Sequence, residues 1–155
     1  MPIEIERKYL VDFSKWIHLN KPKGAFFKQG YLFADPNKTI RIRLTEESGY
    51  LTIKGLSVGA SRPEFEYEIP MQEAKELLDN FATSCLTKTR YKMPFKNKIW
   101  EVDVFHEENE GLIVAEIELQ HESEAFDIPD WIGEEVTGHK RYYNSNISIH
   151  PFKNW

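Results

Sequence analysis

The stretch that decides the fold opens the chain: Glu4-Ile5-Glu6-Arg7-Lys8. Charged and bulky residues alternate along it, and residues two apart in a β-strand share one face of the strand. Glu4, Glu6 and Lys8 therefore project to one side of a predicted strand, while Ile5 projects to the other side. Two carboxylates and an ammonium group on one face make a poor core, but they suit a site for a metal ion and a polyanion.

The same alternation recurs along most of the chain. A helix is predicted over residues 70–78, where Pro70 precedes a run of good helix formers. Shorter helices are predicted around Trp16 and from near Thr137. The remaining segments predict about eight strands, over residues 2–11, 26–33, 39–45, 50–54, 62–69, 86–92, 98–106 and 112–120. Closely spaced strands with few helices between them favour a mainly antiparallel sheet or barrel.

The charged faces of these strands are sorted by sign. Acidic pairs fall on the first, fifth and late strands, whereas basic pairs such as Arg41 with Arg43 and Lys88 with Arg90 fall on the third and sixth. For any single strand, the solvated face of an antiparallel sheet explains such charges. The opposite face, however, is rich in aromatic residues and suits helices packed outside. The charged face would then line a wet, ligand-holding barrel.

The charged residues fit one kind of ligand. Arginine forks and lysine ammonium groups hold phosphate oxygens, and the candidates are Arg41, Arg43, Lys54, Lys88 and Arg90. Carboxylates without cysteine or dense histidine suit hard cations such as Mg²⁺ or Mn²⁺. The candidate metal ligands are Glu4, Glu6, Glu64, Glu66, Glu116 and Glu118, with Asp103 close to the same pattern.

Composition narrows the class of protein. A length of 155 residues with 41% hydrophobic content predicts a single folded domain over residues 1–155. No apolar run approaches the ~20 residues needed to cross a membrane. The net charge of −5 and the lack of a basic block disfavour nucleic-acid binding. Because Cys85 is the only cysteine, no internal disulfide forms, and a reducing cytoplasm is the expected compartment.

Taken together, the motifs resemble those of the CYTH superfamily, the triphosphate tunnel metalloenzymes, in its short bacterial form. The opening stretch matches the family's E-x-E-x-K signature, and further motifs follow in order over nearly the whole chain. They are Arg41-Ile42-Arg43, Leu51-Thr52-Ile53-Lys54, Ser61-Arg62-Pro63-Glu64-Phe65-Glu66, Lys88-Thr89-Arg90-Tyr91, Val102-Asp103-Val104-Phe105, Ala115-Glu116-Ile117-Glu118, and Gly133-Glu134-Glu135-Val136-Thr137 followed by Lys140-Arg141-Tyr142. One departure is Gly138-His139, which stands where family members often have an acidic residue.

The resemblance implies an α+β, mainly antiparallel fold, an eight-stranded closed tunnel with helices packed outside. Triphosphate would lie inside with Mg²⁺ or Mn²⁺. The implied phosphate-binding residues are Lys8, Arg41, Arg43, Lys54, Lys88 and Arg90, with Lys140 covering the tunnel. The implied metal ligands are Glu4, Glu6, Glu64, Glu66, Asp103, Glu116 and Glu118. Among them, Glu4, Glu6, Glu116 and Glu118 are the expected catalytic residues.

Several functions stay open at this point. The leading expectation is metal-dependent hydrolysis of inorganic tripolyphosphate, because the sequence shows no obvious recognition patch for a base or sugar. The family also contains thiamine triphosphatases and class IV adenylate cyclases, so synthesis of cyclic AMP from ATP stands second. A non-catalytic module that binds polyphosphate is a third hypothesis, and a plain structural β-protein is a fourth. An exposed aromatic patch would support a homodimer.

Overall fold

A computed structural model describes all 155 residues of the chain and contains nine strands, each paired antiparallel to its neighbours. The strands are β1 (Ile3–Val11), β2 (Ala25–Asp35), β3 (Lys38–Leu44), β4 (Gly49–Lys54), β5 (Ser61–Ile69), β6 (Ser84–Phe95), β7 (Lys98–Phe105), β8 (Ile113–Glu118) and β9 (Ile132–Glu135). The α-helices are α1 (Phe13–Trp16), α2 (Met71–Phe81) and α3 (Asn144–Ile147), and single 3₁₀ turns cover Glu107–Asn109, Lys140–Tyr142 and Phe152–Asn154. None of the helices has the length and apolar character needed to span a membrane.

The first eight strands close into a barrel. Their order is β5-β4-β3-β2-β6-β7-β8-β1, and β1 pairs again with β5. The predicted eight-stranded closed barrel is therefore confirmed. Its register aligns inward-facing residues across neighbouring strands, as in the series Tyr31, Arg41, Thr52 and Glu66. The alternation seen in the sequence thus becomes one continuous inner face.

Strand β9 was not predicted. It is four residues long, and its sequence Ile-Gly-Glu-Glu lacks the alternation that marks the other strands. It pairs with the C-terminal half of β1, whereas β5 pairs only with Ile3–Ile5 of the N-terminal half. The seam between β1 and β5 is therefore short. Along the C-terminal half of β1, the chain that follows β9 is hydrogen-bonded to β1, since the amide of Val136 donates to the carbonyl of Lys8.

Helices and loops cover much of the outer face. Ala74 and Leu78 of α2 pack on Ile42 of β3, because α2 carries its apolar residues on one side. Elsewhere, Trp16 of α1 belongs to a larger cluster around Trp100, which is completely buried. The side chain of Asp12 caps α1 by accepting a hydrogen bond from the Ser14 amide at 3.0 Å.

One end of the barrel interior is apolar. Leu86, Phe105 and Val114 lie on the inward face of their strands and pack with Ile147 of α3. On β6, Leu86 shares its face with Lys88, so a single strand face is apolar near one end and charged beyond it. The interior is therefore plugged at the end where α3 sits.

The prediction of a helix that begins near Thr137 is wrong. Gly138 follows with φ of +75°, in the left-handed region that interrupts a right-handed helix. The chain instead forms the 3₁₀ turn Lys140–Tyr142 and then the short helix α3. This broken path takes the C-terminal segment across the end of the barrel.

Candidate active site

The barrel encloses a cavity of about 270 Å³ whose wall is almost entirely polar. Seven basic side chains line it: Lys8, Arg41, Arg43, Lys54, Arg62, Lys88 and Arg90. Seven acidic side chains face them: Glu4, Glu6, Glu64, Glu66, Glu101, Glu116 and Glu118. The charged side chains that were predicted to share the inner face therefore line a single cavity.

The two arginines of β3 are incompletely paired. Arg41 and Arg43 expose only 11% and 14% of their side chains, and they share one carboxylate, Glu66, at 3.6 Å from each. The Nε atoms of both arginines are buried without a hydrogen-bond partner. The guanidinium group of Arg43 also lies 5.0 Å from the ring centroids of Phe27 and Tyr50. Because guanidinium only donates hydrogen bonds, these groups are well suited to a ligand rich in acceptor oxygens.

Arg90 and Lys88 on β6 are held differently. Arg90 makes a bidentate pair with Asp103, through Nε at 2.7 Å and a terminal nitrogen at 2.9 Å. Lys88 Nζ donates to the same carboxylate at 2.8 Å. Burial alone would raise the pKa of Asp103, but Arg90 and Lys88 hold that pKa below its usual value. Asp103 is fully buried and holds both Lys88 and Arg90, which lie between it and the cavity.

Burial has a strong effect on Lys88 itself. Its side chain is almost wholly enclosed, and loss of solvation lowers the pKa of Lys88 to about 7 even though Asp103 opposes the change. The ammonium group is therefore close to losing its proton at neutral pH. A polyanion in the cavity would favour the charged form.

On the opposite wall, Lys54 bridges two glutamates. Its Nζ lies 2.9 Å from a carboxylate oxygen of Glu4 and 3.1 Å from one of Glu64. Burial would lower the pKa of Lys54, but the charges of Glu4 and Glu6 raise it above its usual value. Lys54 consequently stays charged and links β1, β4 and β5.

Glu6 and Glu116 form a carboxyl–carboxylate pair across β1 and β8. Burial and the nearby charge of Glu116 raise the pKa of Glu6 well above its usual value. For Glu116 burial acts in the same direction, but a hydrogen bond from Glu6 and the charge of Lys8 hold its pKa well below normal. The pair therefore shares a proton, which is the arrangement expected where two carboxylates lack a cation between them.

These donors fit a hard divalent cation. Every candidate ligand is a carboxylate oxygen, and oxygen is the donor that Mg²⁺ and Mn²⁺ prefer. The carboxylates come in pairs, and no group of three acidic, histidine or cysteine side chains converges on one point. Mg²⁺ in phosphate-processing sites is usually held by one or two carboxylates plus substrate phosphates, so pairs are sufficient.

Twelve of the predicted site residues line this cavity: Glu4, Glu6, Lys8, Arg41, Arg43, Lys54, Glu64, Glu66, Lys88, Arg90, Glu116 and Glu118. Two others do not. Asp103 is fully buried behind Lys88 and Arg90. Lys140 is exposed and lies outside the lining, because the turn at Gly138 directs residues 140–142 away from the cavity.

Several lining residues were not among the predicted site residues. Arg62 and Glu101 lie on the charged faces that alternation identifies, so the signal for them was present. Tyr31, Tyr143 and Asn144 had no comparable signal. Tyr143 lies between two cations, with its ring 5.6 Å from Lys8 Nζ and 5.7 Å from the guanidinium of Arg62. Its place depends on the path of the C-terminal segment, which no local pattern specifies.

Comparison with known proteins agrees with this architecture. The CYTH domain family model matches residues 2–150. The chain belongs to the CYTH family. A CYTH relative from Acetivibrio thermocellus, named inorganic triphosphatase, is 49% identical over 153 residues, which cover 98% of this chain and 97% of the relative. A relative of the same name from Nitrosomonas europaea is 34% identical and covers 94% of this chain and 97% of its own length.

Two solved structures share the fold. The crystal structure of an inorganic triphosphatase superposes with a TM-score of 0.65 at 29% identity, covering 96% of each chain. A putative adenylate cyclase from Bacillus halodurans superposes with a TM-score of 0.60 over 79% of this chain and 84% of its own. At 18% identity, that second likeness shows the fold alone.

Proposed function

We propose that this CYTH protein hydrolyses inorganic tripolyphosphate with the help of Mg²⁺ or Mn²⁺. The observation that carries the proposal is the pair Arg41 and Arg43, which line the charged cavity and share the single carboxylate of Glu66. A chain of phosphates supplies further acceptor oxygens for their guanidinium groups. The names of the two curated relatives support the same activity.

The cavity favours an unsubstituted phosphate chain over a nucleotide. Its volume of about 270 Å³ lies below the roughly 300–1,000 Å³ typical of pockets for drug-sized ligands. Ala60, Tyr31 and Tyr143 are the hydrophobic residues in its wall. A base and ribose attached to the triphosphate would therefore find little apolar surface inside the barrel.

The basic residues act by position and charge. In hydrolysis the oxygen of a water molecule forms a bond to the terminal phosphorus, the bond from that phosphorus to its bridging oxygen breaks, and phosphate and pyrophosphate are released. Negative charge on the phosphate oxygens would be stabilised by preorganised donors, which need no reorganisation at the moment of reaction. The proposed phosphate-binding residues are Lys8, Arg41, Arg43, Lys54, Lys88 and Arg90.

The acidic residues would hold the cation and orient water. The proposed metal-binding residues are Glu4, Glu6, Glu64, Glu66, Glu116 and Glu118. The ion would neutralise phosphate charge and help to activate the attacking water. That water gives up its proton to a carboxylate of the catalytic set, which is proposed to be Glu4, Glu6, Glu116 and Glu118.

The direct test is a substrate panel. Purified protein is incubated with tripolyphosphate, ATP or thiamine triphosphate, with Mg²⁺, with Mn²⁺ or with EDTA, and the products are quantified. We expect release of phosphate and pyrophosphate from tripolyphosphate as the fastest reaction, and loss of activity in EDTA. Cyclic AMP as the main product from ATP would overturn the proposal.

A second experiment separates an enzyme from a module that only binds polyphosphate. The double variant Glu4→Gln, Glu6→Gln keeps the size of both side chains but removes the negative oxygens that they could offer to a metal ion. We expect it to bind tripolyphosphate in calorimetry while turnover falls to background. An inactive wild type that binds tripolyphosphate tightly would instead identify a binding module.

We further propose that the protein acts on its small substrate in the cytoplasm, apart from nucleic acid. The basic side chains of the site face the inside of the barrel, where a nucleic-acid duplex cannot reach them. A steep salt-dependent affinity for DNA or RNA would contradict this proposal. The homodimer stays a prediction.

A further inference from the structure

The C-terminal helix α3 brings one polar side chain into the cavity wall. Asn144, its first residue, lies next to the buried Lys88. Lys88 Nζ donates to Asn144 Oδ1 at 2.9 Å, and Gln29 Nε2 donates to the same oxygen at 2.9 Å. The amide oxygen of Asn144 is thus shared by two donors from β6 and β2.

These contacts fix the orientation of the Asn144 amide. A lysine ammonium group has three hydrogen-bond donors and no acceptor, so the amide atom that faces Lys88 has to be oxygen. The other end of the amide, Nδ2, therefore points away from Lys88 and Gln29. It has no hydrogen-bond partner in the protein, and it is not among the side-chain atoms sealed from solvent without a partner.

Lys88 is constrained by the same interaction. One of its three N–H groups goes to Asp103 at 2.8 Å and a second goes to Asn144. In the charged form of Lys88, which a bound polyanion favours, one N–H remains for a ligand in the cavity. Asn144 and charged Lys88 therefore each have a free N–H, and their side chains are neighbours in the cavity wall.

We propose that Asn144 is a substrate-binding residue, in which Oδ1 holds Lys88 in place and Nδ2 donates a hydrogen bond to a phosphate oxygen of the substrate. This inference rests on the proposed function, because it takes the cavity ligand to be a triphosphate. It gives α3 a part in the site beyond closing the end of the barrel. It also assigns to the C-terminal segment a contact that the exposed Lys140 does not make.

Two substitutions separate the two parts of this role. Asn144→Ala removes both the acceptor for Lys88 and the donor to phosphate. Asn144→Asp keeps the size and the acceptor, but replaces the donor by a negative oxygen that repels phosphate. Asn146→Ala is the matched control, because Asn146 lies in the same helix, makes a long 3.4 Å hydrogen bond to the Arg141 carbonyl and does not line the cavity.

The experiment measures kcat/KM for tripolyphosphate and, without metal, the affinity for tripolyphosphate by calorimetry. Thermal unfolding of each variant reports whether it folds. We expect kcat/KM to fall about ten- to hundredfold in Asn144→Ala, as for loss of a hydrogen bond to a charged group. The fall should be larger in Asn144→Asp, and Asn146→Ala should match the wild type.

Other results would overturn the inference. If Asn144→Asp is as active as the wild type, the amide does not donate to phosphate. If kcat/KM of Asn144→Ala stays within twofold of the wild type, Asn144 neither holds Lys88 in place nor donates to phosphate. Should Asn144→Ala fail to fold, the isosteric Asn144→Asp still decides the donor role. A wild type that hydrolyses no triphosphate would refute the proposed function separately, and the calorimetric affinities would then test Asn144 alone.

Discussion

Two ion pairs of nearly equal length differ in what surrounds them. Lys88 and Asp103 lie 2.8 Å apart inside the barrel, with side chains 2% and 1% exposed. Lys75 and Asp79 lie 2.7 Å apart on the surface of α2, with side chains 61% and 48% exposed. Water screens the outer pair, so this pair contributes little to stability. The inner pair is shielded from water and its aspartate also binds Arg90, so removing one partner leaves costly buried ions.

The largest effect is expected when the inner network loses its central anion. Asp103→Asn leaves Lys88 and Arg90 buried without their charged partner, and it should lower the free energy of unfolding by about 3–5 kcal/mol. Urea unfolding monitored by tryptophan fluorescence measures the loss. The control is Asp79→Asn on α2, which should leave stability unchanged. Equal effects of the two substitutions would remove the distinction between inside and outside.

Substitution of Glu6 is expected to change turnover strongly and stability very little, unlike substitution of Asp103. Because its raised pKa favours the protonated form in the free protein, Glu6→Gln mimics the state already present. We expect stability within about 0.5 kcal/mol of the wild type. Turnover of tripolyphosphate should nevertheless fall about a hundredfold, because a negative oxygen needed with the substrate is gone. Full activity in Glu6→Gln would exclude Glu6 from the catalytic set.

Lys88 should take up a proton when the substrate binds. Its pKa of about 7 in the free protein leaves it mostly neutral at pH 8, and a polyanion in the cavity raises that pKa. Binding of tripolyphosphate at pH 8 in EDTA should therefore draw a proton from the buffer through this residue. Calorimetry in buffers of different ionisation enthalpy measures the number, as the difference between wild type and Lys88→Arg. No difference between the two proteins would show that Lys88 is charged before binding.

Stability should respond to Lys88 in the same pH range. Between about pH 7 and the ordinary lysine pKa of 10.5, the unfolded chain binds more protons at this residue than the folded protein does. The Lys88 contribution to stability should therefore increase as pH rises through that window. The comparison with Lys88→Arg, whose charge does not titrate there, isolates this contribution.

The smallest effect is expected at a half-exposed pair on the outside. Arg7 binds Glu135 through two hydrogen bonds of 2.8 and 2.7 Å, with side chains 33% and 35% exposed. Glu135→Gln should lower the free energy of unfolding by less than about 1 kcal/mol. The hydrogen bond from Arg7 lowers the pKa of Glu135, so this contribution is present at pH 7 and is lost as pH falls through the folded-state pKa. The measurement is the melting-temperature difference between wild type and variant as pH is lowered from 7, and a difference that does not shrink with falling pH would contradict the prediction.

Much of the fold and most of the cavity lining could be read from alternation. Because side chains alternate with a period of two, the sequence predicts that Glu4, Arg41 and Lys88 lie on the charged faces, and all three line the cavity. The closed barrel and the CYTH family are confirmed by strand pairing and by the family match. The roles of the individual site residues stay predictions.

The alternation of side chains along a strand does not predict how far along the barrel axis a residue lies, or whether it reaches the cavity. Asp103 has the same parity as Glu101, yet Glu101 reaches the cavity and Asp103 lies behind the wall. Leu86 and Lys88 share a face, yet one belongs to the apolar plug and the other to the site. Depth depends on strand register and on what closes the end of the barrel, and both are set by contacts between distant parts of the chain.

The sequence by itself determined which residues share a strand face, because the geometry of an extended chain is local and repeats every two residues. It also determined the family, since the ordered charged motifs span nearly the whole chain. Only the tertiary structure decided that Arg41 and Arg43 share the single carboxylate of Glu66, that Lys88 is desolvated, and that Asn144 instead of Lys140 reaches the cavity. Those properties arise from contacts between different strands and the C-terminal segment. Because the residues in contact are far apart in the sequence, no local sequence pattern predicts them.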